Sequence, residues 1–133
     1  MKLRRLKKVI VAMSMASMLS LCMLPYTVQA KTIAIGNKTV SVSLSGSSSK
    51  VTAVTSYTQG PGSVAVSVTG YACDKTDASK TKPVSASAGP NSTPTGVSAS
   101  VSAPSGYRFY SASSVHTYTV DGASGTYRDS INL

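Results

Sequence analysis

His116 is the sole histidine of a 133-residue chain whose acidic side chains are four aspartates, Asp74, Asp77, Asp121 and Asp129, with no glutamate and no tryptophan. This inventory leaves little for acid/base catalysis, which needs groups that titrate near the working pH. A two-histidine metal site cannot exist, and a zinc site within one chain would need Asp at most of its positions. Asp74-Lys75-Thr76-Asp77 brings two carboxylates together, but it lacks the further spaced oxygens of a calcium loop and has lysines within and just beyond it. No metal or cofactor is therefore expected.

Nucleophilic chemistry fares no better. Residues 31–133 contain 22 serines, so a Ser-His-Asp set can always be assembled on paper. The informative signal would be a strained Gly-x-Ser-x-Gly turn, and the sequence has none. Cys73 and His116 form the other formal nucleophilic pair, and neither carries a local signature. Carboxylates paired as in glycosidases are hard to draw from four Asp, two of them in a lysine-containing loop. The expectation is a non-enzymatic protein.

Recognition chemistry is better represented. Arg108, Arg128, His116 and five large aromatic residues (Tyr107, Phe109, Tyr110, Tyr118, Tyr127) all follow residue 106, whereas the six lysines beyond residue 30 lie between Lys31 and Lys82. If Asp121–Gly125 is a five-residue loop, Val120 pairs with Thr126, Tyr118 with Arg128, His116 with Ser130 and Val115 with Ile131. One sheet face then displays His116, Tyr118 and Arg128. Joined by Arg108 and Tyr110, they would form a recognition surface, since Tyr and Arg give stacking and forked hydrogen bonds at low entropic cost. The competing reading is that the tyrosines fill a core short of Leu and Phe while the arginines cover its edge.

The elements that must position these residues are strands. Val40, Val42 and Leu44 alternate with Ser41 and Ser43, and Val51–Tyr57 is a second extended run. Val64, Val66 and Val68 alternate with Ala65, Ser67 and Thr69, and Gly70 marks a bulge before Tyr71–Cys73. Residues 74–83 read as a solvated connection, Val84–Ala88 as a weak strand and Gly89–Gly96 as a loop. Val97–Ala103, Tyr107–Ala112, Val115–Val120 and Thr126–Leu133 complete the set, with Asp121-Gly122 opening a hairpin. About seven or eight short strands predict an all-β fold, a small antiparallel β-sandwich that is Ig-like in general architecture, or a small barrel. The 22 serines and 13 threonines of residues 31–133 suit a wet sheet face.

Residues 1–30 read differently. Lys2, Arg4, Arg5, Lys7 and Lys8 precede an apolar run from Val9 to Leu24, and Val28 and Ala30 stand where signal peptidase requires small residues. The run is broken by Ser14, Ser17 and Ser20 and is shorter than the roughly 20 apolar residues that span a bilayer. A secretory signal peptide cleaved after Ala30 is expected, with a single domain over 31–133 and no transmembrane segment in it. The leader resembles those of Gram-positive bacterial exports in length and basicity.

Cleavage would lower the formal charge of +9 to +4, because five of the thirteen basic residues lie in the leader. A charge so diffuse argues against nucleic acid as partner and points to a cell-envelope polymer or another surface protein. Cys73, the one thiol beyond the leader, is either a small buried hydrophobe or the donor of an intermolecular disulfide. The expected function is an exported, extracellular or cell-surface binding or structural module, with a secreted bacteriocin-like or toxin-like antagonist as the alternative.

Overall fold

The computed structural model describes residues 26–58, 61–92 and 96–133, so the basic and apolar parts of the leader lie outside the described residues. The described residues form eight strands: β1 (Thr27–Ile35), β2 (Lys38–Gly46), β3 (Lys50–Tyr57), β4 (Gly62–Asp74), β5 (Thr81–Asn91), β6 (Val97–Ser102), β7 (Tyr107–Val120) and β8 (Ala123–Asn132). They make two antiparallel four-stranded sheets, ordered β1-β2-β3-β6 and β5-β4-β7-β8. The fold is a sandwich and not a closed barrel. No helix among the described residues is long and apolar enough to cross a membrane.

Alternation fixes which side of each sheet is dry. Val40, Val42, Leu44, Val51 and Ala53 of the first sheet face inward against Val64, Val66, Val68 and Ala72 of the second, and all are buried. The intervening Ser and Thr point outward. Cross-strand hydroxyl pairs such as Thr52–Ser100 and Thr69–Ser85, both 2.8 Å, tile these outer faces.

Several local readings are corrected. The runs Tyr107–Ala112 and Val115–Val120 belong to one strand, β7, because Ser113 and Ser114 stay in the ladder opposite Thr69 and Val68. The bulge near Gly70 arises from an extra residue on β7: Tyr71 pairs with Ser111 and Ala72 with Phe109, leaving Tyr110 over. Phe109 and Ala112 can therefore both face the core although they stand three positions apart, an odd spacing. Gly70 matters because it is buried beneath the Phe109 ring, where a Cβ would collide with that ring. The predicted solvated connection is also too long, since β5 already begins at Thr81, and β5 runs on to Asn91 through what was expected to be loop.

A further correction concerns register. Asp121 (φ 54°) and Gly122 (φ 76°) both adopt left-handed backbone, as a two-residue type I′ hairpin turn requires, so Val120 pairs with Ala123 and not with Thr126. Lys38 Nζ bonds to Asp121 Oδ1 across this turn. The slip of three residues sets His116 opposite Tyr127, Tyr118 opposite Gly125 and Val115 opposite Arg128. An odd slip exchanges the two faces of β8 relative to the expectation.

The core has two apolar parts. One contains Leu44, Val51, Val66, Val68, Phe109 and Ile131, the other Val40, Val42, Tyr57, Val64 and Val120. Strand β1 begins at Thr27, and Thr27–Ala30 pair with Ser43–Gly46. The boundary expected after Ala30 thus falls inside a strand.

Candidate functional site

The five residues predicted to share one surface are divided between two faces of the second sheet. His116 and Tyr118 face inward. His116 is fully buried, its Nδ1 2.7 Å from Thr55 Oγ1 of the opposite sheet and its Nε2 2.8 Å from Ser114 Oγ on its own strand. Both ring nitrogens are satisfied, and Thr55 and Ser114 are buried as well. A Ser-His-Thr cluster so enclosed presents no atom to a substrate. Its role is structural: it carries a hydrogen bond from sheet to sheet between the two apolar parts of the core.

Desolvation holds the His116 pKa below its ordinary value of 6.5, opposed by the negative charge of Asp129. The imidazole is therefore neutral in the folded protein at neutral pH. Tyr127 lies tilted against it at 6.2 Å between centroids and carries Lys31 Nζ on its ring, 4.7 Å from the centroid. Tyr118 lies across Gly125, where a Cβ would meet its ring. Its side chain packs on the Val40 part of the core. The tyrosine-as-core reading holds for Tyr118 and Tyr127.

Arg108, Tyr110 and Arg128 face outward and are exposed. The bulge sets Tyr110 beside Tyr71 of β4, the neighbour of Ser111 in the ladder. These tyrosines are 42% and 38% exposed. The other large apolar residues exposed among the described residues are Tyr26 and Val28, both ahead of the expected cleavage point. Arg108 pairs with Cys73, two residues along β4 from Tyr71. Arg128 sits further along the same face, opposite Val115, which in turn lies opposite Ser67 of β4.

Tyr71 is the residue that sequence reasoning missed. Its signal was present in the phase of β4: Val64, Val66 and Val68 turn inward, so an uninterrupted count puts Tyr71 outward. Cys73 shares that outward phase, yet only 5% of it is exposed, and the neighbouring Thr81 and Arg108 flank it in the ladder. While these strands are paired, its sulfur is withheld from a second molecule, as the buried-hydrophobe reading requires.

The opposite end of this outer face holds a depression of about 390 Å³ whose walls include Ser63, Ala65, Pro90, Thr117, Thr119 and Thr126. None of the four carboxylates occupies an outward position on this sheet. Asp74 accepts from the Thr76 backbone (2.8 Å) and hydroxyl (2.7 Å), which holds its pKa below the ordinary 3.8. Asp77 caps Ser79 in the same way. Asp121 is in the hairpin turn, and Asp129, opposite Ser114, has the inward phase. Both aspartates of the segment weighed as a cation site thus serve the turn between β4 and β5.

The arrangement is a hydroxyl-covered sheet face with two exposed tyrosines, two outward arginines and no acid. No protein family, no curated protein and no solved structure matches the chain.

Proposed function

We propose that the chain is an exported, non-enzymatic binding module, immunoglobulin-like in general architecture, that works outside the cell or at its surface. It meets a cell-envelope polymer or another surface protein through the outer face of β5-β4-β7-β8. The observation that carries this reading is the pair Tyr71 and Tyr110, left 38% and 42% exposed on adjacent strands among outward residues that are mostly Ser and Thr. Large side chains held in place by a sheet are ready-made contact area, because ordering them on binding costs little entropy. The leader, with its basic start, apolar run and Val28/Ala30 ending, supports export.

The test is to collect the secreted protein, establish its N-terminus by mass measurement, and measure co-sedimentation with isolated cell walls alongside viability of related cells. Retention on walls that is lost in the Tyr71→Ser, Tyr110→Ser double variant is the expected result. Killing without retention would replace this reading with that of a secreted antagonist, and a product that keeps residues 1–30 would remove the argument for export.

A further inference from the structure

Resting on the reading of this face as a binding surface, we infer that its ligand is an anionic polysaccharide, with sugar rings stacked on Tyr71 and Tyr110 and acid groups held by Arg108 and Arg128. Four features of the face converge on this class. The tyrosines offer flat apolar area of the kind that covers the C–H face of a pyranose, with a hydroxyl at the rim to bond its substituents. The arginines offer planar forks that match a carboxylate or a sulfate ester, and they remain charged at every physiological pH.

Charge complementarity sets the sign. Both arginines point outward, and all four aspartates are turned inward or engaged in turns, so an approaching anion meets no like charge on the sheet. The layout also favours a chain over a small molecule. From Ser67, level with Arg128, to Cys73, level with Arg108, β4 runs about 20 Å at the strand rise of about 3.3 Å per residue. Beyond Arg128 the hydroxyl-lined depression continues the same track with Ser63, Thr117, Thr119 and Thr126, which suit a polyhydroxylated backbone. A polyphosphate or a nucleic acid would use the arginines. The polyphosphate, however, has no ring to place on the tyrosines, and a nucleic acid asks for a denser basic stripe than two residues.

Affinity electrophoresis and titration calorimetry with the secreted protein decide the matter, using polygalacturonate, its methyl ester and polyphosphate as probes. Polygalacturonate should retard the protein, and esterification, which keeps the rings and removes the charge, should weaken binding about tenfold or more. Tyr71→Ser with Tyr110→Ser should weaken it by a similar factor. Arg108→Gln with Arg128→Gln should abolish the difference between acid and ester. Thermal unfolding of each variant establishes that it is folded.

Equal binding of acid and ester would overturn the inference, as would polyphosphate binding that is indifferent to the tyrosines. Wall retention without any polygalacturonate binding would overturn the ligand class and leave the module reading standing. Loss of retention by the parent protein itself would overturn both.

Discussion

The two sheets share one inner chemistry and differ in the outer one. Inward, both present Val and Ala with two large hydrophobes each among the buried residues, Leu44 and Tyr57 in the first and Phe109 and Ile131 in the second. Outward, the first sheet carries Ser41, Ser43, Ser45, Thr52, Ser56, Ser98 and Ser100, and a shallow hollow of about 290 Å³ on it is walled by such residues with Ala30 and Val54. Its neighbouring large apolar residues, Tyr26 and Val28, stand at the leader end. The second sheet adds Tyr71, Tyr110, Arg108 and Arg128. Ser and Thr are what a solvated strand face needs for strand propensity and wetting, so the first outer face is accounted for by folding alone. The additions on the second are not required by folding, and that surplus is why the proposed binding surface is placed there.

The contrast can be broken most forcefully at Phe109. Its ring on Gly70 anchors the bulge that turns Tyr110 outward, and Phe109→Ala should cost about 3–5 kcal/mol in chemical denaturation. A loss below about 1 kcal/mol would show that the ring does not anchor the second sheet. Next comes the link between the sheets. Thr55→Val strips His116 of its cross-sheet partner and should cost about 1–3 kcal/mol. Thr52→Val, outward on the same strand, should stay within about 0.5 kcal/mol although it loses its bond to Ser100.

A pH series sharpens the same point. Because the folded-state pKa of His116 is depressed below 6.5, its contribution is fully present above that value and is lost as pH falls through 6.5 toward the folded pKa, where the unfolded chain binds a proton that the native core refuses. The denaturation midpoint should fall on acidification across this window in the parent and fall less in His116→Gln. Equal slopes would remove His116 as the cause. The smallest expected effect on stability is at the surface: Tyr110→Ser should change unfolding by no more than about 0.5 kcal/mol while weakening wall retention, whereas Ser43→Ala on the first sheet should alter neither. Equal losses of retention would erase the asymmetry between the faces.

Most strands were legible because period-2 alternation reports a half-buried sheet directly, as in Val40–Leu44 and Val64–Val68. Faces were less legible because each depends on a count that one turn or bulge can alter. Asp121-Gly122 carried the signal of a two-residue turn, and taking the loop as longer exchanged Arg128 with Tyr127. His116 looked like a surface residue because Thr55, the partner that makes its burial tolerable, lies 61 residues earlier in the sequence. Arg108 and Tyr110 kept their outward place, and Tyr71 joined them through a strand pairing that local sequence does not display.

The ladder that joins Thr27–Ala30 to Ser43–Gly46 sets an order of events. A peptidase accepts its substrate as a separate extended segment, so a bond that has already zipped onto β2 is closed to it. If the proposed cleavage after Ala30 occurs, it has to outrun the closing of β1, and a chain that folds first keeps Thr27–Ala30 paired at the edge of the first sheet. On the proposed export route this becomes a race between processing and edge-strand pairing, with the Ala30–Lys31 bond as the finishing line.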